Sequence, residues 1–220
     1  MNKAKYLIVL ALALSAMACK KRKAINFNVQ HVDSAIKADS LKALGKTDTS
    51  EMPGDAKIPL AQLIVPGSSL GQSTINESSE NIYKRLGKPD AGDAAMGKST
   101  AIWYADHDTT KYATQMYFSR DMGNDDAARL KHVRVTSPAF KINNSLYVGQ
   151  PLKPAMEKYN LVKVGTFGHR GNVYTLYDDK KAGVAFDVDG AGNISGITVH
   201  EPGRDVKATY LPFFNNLKAM

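Results

Sequence analysis

Residues 183–200 read GVAFDVDGAGNISGITVH, two short apolar runs joined by a turn. Gly183–Val188 and Ile194–His200 have the length and β-branched content of strands. Asp189-Gly190-Ala191-Gly192-Asn193 supplies residues that tolerate positive φ. Short connections of this kind favour antiparallel pairing. Glu201-Pro202-Gly203 ends the run. Working backwards, strands are expected near Val173–Tyr177 and Leu161–Val164. Ahead of them lies a short helix after Pro151, with Leu152, Ala155, Met156 and Tyr159 at helical spacing. Leu146-Tyr147-Val148-Gly149 opens this stretch.

The same order is expected once more, earlier in the chain. Leu63-Ile64-Val65-Pro66-Gly67 leads to Gly71 and a helix over Ser73–Leu86, with Ile75, Ile82, Tyr83 and Leu86 on one side. Gly87 followed by Pro89 stops that helix. Strand-like runs follow at 100–105 (TAIWYA), 114–119 (TQMYFS) and 130–136 (LKHVRVT), closed by Ser137-Pro138. The expected fold class is therefore α+β. Two similar units, residues 63–141 and 142–203, each place a short helix before a small antiparallel sheet, whose one face packs on the helices. A C-terminal tail over 204–220 carries the aromatic run TYLPFF (209–214), expected to dock onto the body.

The N-terminus has another character. Lys3 and Lys5 precede the apolar run YLIVLALAL (6–14), and Ser15-Ala16-Met17-Ala18 leads to Cys19. Positive, apolar and small, in that order, is the layout of a secretory signal peptide. The apolar run is too short to span a bilayer, which takes about 20 residues. Residues 1–18 are expected to be removed. Cys19 is the single cysteine of the chain, so no intramolecular disulfide can form. It stands at the first position after the expected cut, where the sequence resembles the lipobox of bacterial lipoproteins. In those proteins the cysteine sulfur carries diacylglycerol. The match departs from the commonest pattern at Ala16, where Leu is usual, and Ala16-Met17-Ala18 also fits an ordinary secretory cleavage site. Each buried methylene contributes about 0.8 kcal/mol, so two or three acyl chains hold a protein firmly to a membrane. Residues 19–62 are expected to form a lipid-anchored, flexible stalk. Gln30–Leu44 is a possible helix within it, and GKTDTSEMPGDAK (45–57) lacks periodicity.

Charge bears on partners. The chain carries 29 basic and 21 acidic side chains, a formal +8. Six of the basic residues lie among the first 23, with no acidic residue there, leaving 23 basic against 21 acidic beyond. The body is nearly neutral, and a nucleic-acid partner is not expected. Lys20-Lys21-Arg22-Lys23 either lies against anionic headgroups, at about 1 kcal/mol per charge, or forms a solvated tether.

The body plan also resembles small lipoproteins of the outer-membrane β-barrel assembly machine, of the SmpA/OmlA type. There a glycine-led helix ending in Leu-Gly-x-Pro precedes a small sheet. Leu86-Gly87-Lys88-Pro89 fits that cue, and Trp103-Tyr104 falls where an aromatic strand is expected. Tandem copies of a similar unit occur in the β-lactamase inhibitor protein. The resemblance implies a protein-binding module and carries no binding residue across.

Three patterns touch on chemistry. Gly67-Ser68-Ser69-Leu70-Gly71 matches the G-x-S-x-G turn that exposes a serine nucleophile in α/β-hydrolases. Pro66 before it and the antiparallel order after it oppose that reading and favour a loop. Asp187–Asn193 starts like a calcium loop, but an EF-hand needs an oxygen ligand where Ala191 stands and a carboxylate where Thr198 stands, so a hairpin turn is expected. His31, His107, His132, His169 and His200 form no metal-binding spacing. His132 and His200, on alternating strands, are expected to face solvent. The loop KPDAGDAAMGK (88–98) reads as a connector or a binding loop, and Trp103 as core. No catalytic residue, metal or cofactor is expected. The expected function is that of a cell-envelope lipoprotein, a non-catalytic protein-binding or scaffold module. It is held by Cys19, most plausibly at the outer membrane facing the periplasm, since no acidic residue closely follows Cys19. The alternatives are an inhibitor of a periplasmic enzyme and, last, a serine hydrolase using Ser69.

Overall fold

The computed structural model describes residues 58–220. Cys19 and the segments expected to form the signal peptide, the helix over 30–44 and nearly all of the stalk lie outside the described residues. In chain order the strands are β1 (Ile64–Val65), β2 (Ser69–Leu70), β3 (Ser73–Thr74), β4 (Ala91–Ala95), β5 (Lys98–Tyr104), β6 (Ala113–Ser119), β7 (Arg129–Val135), β8 (Lys141–Ile142), β9 (Leu146–Tyr147), β10 (Val162–His169), β11 (Asn172–Asp179), β12 (Val184–Val188), β13 (Ile194–His200) and β14 (Lys218–Ala219). The helices are α1 (Ser79–Leu86), α2 (Lys153–Lys158) and α3 (Lys207–Tyr210).

Nine strands form one antiparallel sheet in the order β14-β10-β11-β12-β13-β7-β6-β5-β4. The β12–β13 hairpin sits near its middle, as its fully buried apolar residues require. Its turn is closed by Asp189, whose Oδ1 accepts from the N–H groups of Ala191 and Asn193, both at 2.9 Å. β1–β2–β3 and β8–β9 are small separate sheets.

Two similar units, each a helix before a small sheet, are not what forms. The fold is mostly β, with short helices set on one large sheet. The reason is the pairing of β7 with β13, which places Val133 opposite Val199 and Val135 opposite Ile197. Residues 63–141 and 142–203 thereby share one sheet and one core. Met116, Phe118, Leu130, Val133, Phe186, Ile197 and Val199 form a single apolar layer. Ile82 of α1, Leu152 and Ala155 beside and within α2, and Ile64, Leu70, Ile142 and Leu146 cover it. Burying one such side chain is worth about 1.5–3 kcal/mol.

Two local expectations also change. The helix expected over Ser73–Leu86 is confined to α1. Asn76 adopts φ 70, which breaks a right-handed helix, and Ser78 then caps α1 by accepting from Asn81 N at 3.3 Å. Gly87, at φ 79, ends it as the sequence indicated. Residues 88–98 are not a plain loop, because Ala91–Ala95 pairs along β5 as the outer strand β4.

Candidate functional site

Side chains alternate across a strand, so the apolar layer accounts for only half of the central residues. The opposite face carries polar groups in cross-strand rows. Gln115 pairs with Arg134, and Arg134 with Thr198. Thr198 pairs with Ala185, and Ala185 with Asp178. A second row runs through Tyr117, His132 and His200. This face is not open to water. The segment around α3 crosses it and packs Val206, Tyr210 and Phe214 against Phe167, Leu176 and Ala185. Phe214 stacks on Phe167 with ring centroids 4.1 Å apart.

Beneath this cover lies a buried ionic network. Arg134 Nε donates to Asp187 Oδ2 at 2.5 Å, and Nη1 donates to Gln115 Oε1 at 2.7 Å. Tyr210 donates its hydroxyl to Asp187 Oδ1 at 2.8 Å, so the Thr198 hydroxyl, 2.7 Å away, donates to Tyr210. Asp187 is 0% exposed and Arg134 6%. Burial works against the guanidinium charge, yet the Asp187 carboxylate and Tyr210 keep the Arg134 pKa above its ordinary value. Burial and the Asp187 charge push the Tyr210 phenol well up. Gly196 makes room for the pair. A Cβ at that position would collide with Asp187 Oδ2 and lie 2.7 Å from Arg134 Nη2.

The two central histidines correct the expectation that they face solvent. His132 is 0% exposed and His200 1%. The polar residues of these strands do point away from the apolar core, but the C-terminal segment closes over them. His200 Nδ1 donates to the Glu201 carbonyl at 3.0 Å, and Nε2 lies 2.9 Å from Asp178 Oδ1. His132 is different. The Thr209 hydroxyl donates to Val206 O, so it accepts from His132 Nδ1 at 2.9 Å. The remaining Nε2 is a buried lone pair with no partner. Desolvation first, and then the positive charges of His200 and Arg134, hold the His132 pKa well below 6.5 and keep the ring neutral.

The structure disperses the residues singled out on sequence grounds. Ser69 lies in β2 between Val65 and Thr74, and among the described residues it has no hydrogen bond to a histidine. Asp187 of the calcium-like stretch belongs to the ionic network, and Asp189 closes its own turn. Trp103 is partly buried against the core, near Tyr83, and its Nε1 donates to Gly87 O at 3.3 Å. His107, exposed after β5, pairs with Asp90 at 2.6 Å, and His169, exposed at the end of β10, lies edge-on to Phe214. Among the described residues no three His, Cys, Asp or Glu side chains are arranged to hold a metal ion, and no helix is long and apolar enough to cross a membrane. Sequence reasoning missed Arg134, Gln115 and Tyr210. The available signal was Asp187 itself, a carboxylate inside the apolar run VAFDV (184–188).

No family model matches the sequence, and no curated protein sequence matches it. Two solved structures align with the chain. One is an extracellular protein containing a SCP domain from Bacillus anthracis, at 12% identity and a TM-score of 0.38, covering 77% of this chain and 52% of the other. The second is a cysteine-rich secretory protein from Staphylococcus aureus, at 12% identity and a TM-score of 0.40, covering 73% and 53%. This chain thus spans about half the length of each. At this identity and overlap they assign neither fold nor role to it.

Proposed function

We propose that the protein is a cell-envelope lipoprotein, acylated at Cys19 and held to a membrane, whose body is a non-catalytic binding module for an envelope protein. The observation that carries this is the order of residues 1–19: a basic start, the apolar run 6–14, small residues, and then the single cysteine of the chain. The body supports the non-catalytic part. Arg134, Asp187, Tyr210 and Thr198 bond to one another beneath a cover of aromatic side chains, an arrangement that suits holding the sheet together. The lack of an early acidic residue after Cys19 favours the outer membrane, facing the periplasm. The inhibitor alternative leaned on tandem units, and the continuous sheet removes that support.

Acyl labelling in cells, together with intact-mass analysis, tests the anchor. The expected species starts at Cys19 with added acyl mass, lost in Cys19→Ala. A soluble species with an unmodified thiol refutes it. Crosslinking in intact cells is expected to capture one defined envelope protein.

A further inference from the structure

Beside the covered face a cleft of about 330 Å3 opens between the outer ends of β5–β6 and β10–β11. That volume is at the small end of ligand pockets. Three cationic side chains line it, Lys111, Arg134 and Arg170, with His169 beside them, and no Asp or Glu is among the lining residues. Two other clefts of similar size among the described residues each contain acidic residues, Glu201 and Asp205 in one, Asp178, Asp179 and Asp205 in the other. The cleft beside β5–β6 differs from those two in having cations and no carboxylate in its lining.

Its three cations are not equivalent. Arg134 is neutralised by Asp187, and Lys111 pairs with Asp106 at 2.8 Å. Arg170 has no carboxylate partner among the described residues, and its Nη2 donates to the carbonyl oxygen of Thr109 across the cleft end. That contact ties the β10–β11 turn to the loop after β5. The guanidinium offers five donors, so one such bond leaves others for a ligand. The walls are aromatic. Tyr174, backed by the buried Phe167 ring at 5.4 Å, lines the cleft from one strand pair, while Tyr104 and Tyr112 line it from the other. Flat apolar walls beside an unneutralised guanidinium match a ligand that joins a ring to an anion.

We propose that this cleft binds a compact aromatic anion, a carboxylate or phosphate monoester on a single ring system, with Arg170 as the charge anchor and the rings of Tyr104, Tyr112 and Tyr174 as its walls. The site is independent of the acyl anchor at Cys19, so either reading can fail alone.

Isothermal titration of the full chain with phenyl phosphate tests it, with inorganic phosphate, phenol and benzyltrimethylammonium as comparisons. Phenyl phosphate is expected to bind at least about 10-fold more tightly than any of the three. Arg170→Asn is the informative variant, because Arg170 holds φ 48 ahead of Gly171 and Asn adopts that region readily. It is expected to weaken binding about 10-fold or more, the loss of one hydrogen bond to a charged group, with Tm unchanged. Lys111→Gln, at an exposed position, is expected to weaken binding in the same direction without touching the turn. Absence of phenyl phosphate binding, wild-type affinity in Arg170→Asn, or equally tight binding of the ammonium compound overturns the proposal.

Discussion

The buried pair Arg134–Asp187 is the sharpest test of how the polar face is held. In Arg134→Met the Asp187 carboxylate keeps the Tyr210 hydroxyl on Oδ1 but loses the Arg134 Nε donor 2.5 Å from Oδ2. At 0% exposure, water does not replace that donor. Breaking a buried pair from one side costs about 3–5 kcal/mol, a large part of the roughly 5–15 kcal/mol that holds a domain folded. At about 2–4 °C per kcal/mol for a chain of this size, Tm falls by roughly 6–20 °C. Asp187→Leu strands the guanidinium instead, with Gln115 and the Phe214 ring at 5.3 Å as remaining neighbours, and costs a similar amount. The double variant removes both charges. Its residual penalty is the partner lost by Gln115 and by Tyr210, about 1–3 kcal/mol each at most, and Tyr210 retains Thr198. With single costs of about 3–5 kcal/mol each and a double cost of about 2–6, the cycle is expected to show a mid-range coupling of about 4 kcal/mol. Urea unfolding followed by Trp103 fluorescence and circular dichroism measures all four proteins. A single-variant cost below about 1 kcal/mol, or additivity within about 0.5 kcal/mol, refutes the reasoning.

Acidification acts through His132. Its ring stays neutral when folded and takes a proton near pH 6.5 when unfolded, so below that pH the unfolded state binds more protons. Stability is full above about 6.5 and falls as pH drops toward the depressed folded value, by up to about 1.4 kcal/mol per pH unit. Urea midpoints of wild type and His132→Phe are expected to diverge in slope below pH 6.5, with the variant flatter; parallel curves contradict the assignment. Gly196→Ala is expected to cost about 1–3 kcal/mol, the range for overpacking a close-packed site, because its methyl group meets the ionic pair; a Tm equal to wild type shows that the strand yields instead. Phe214→Ala removes the ring stacked on Phe167 and is expected to cost about 3–5 kcal/mol in the same unfolding assay.

The strands were legible where one rule governs them. TQMYFS (114–119) and GVAFDV (183–188) show their apolar content in sequence, and the Gly87–Pro89 stop marks the end of α1. Two things were not legible. The first is partner choice. Nothing local to LKHVRVT (130–136) says that it pairs with Ile194–His200 in preference to a strand of its own stretch. That register is set by burying Val133, Val135, Ile197 and Val199 together. The second is the meaning of polar positions. Alternation normally reads polar as outward, which placed His132 and His200 in water. A distant segment, Val206 to Phe214, reverses that by covering the face. Ala91–Ala95 escaped for a third reason. Ala, Gly and Asp have weak strand preference, and β4 exists because β5 offers it a hydrogen-bonding edge.

The order of the parts along the chain has a kinetic consequence. Val206, Tyr210 and Phe214 come after β6, β7, β11, β12 and β13, the strands whose polar groups they enclose. Any machinery that delivers the polypeptide amino end first hands over those strands while their charged face is still hydrated. At that stage the Tyr210 bond to Asp187 and the Phe214 ring over Phe167 are still to form. Closure of the polar face waits for the last stretch of chain.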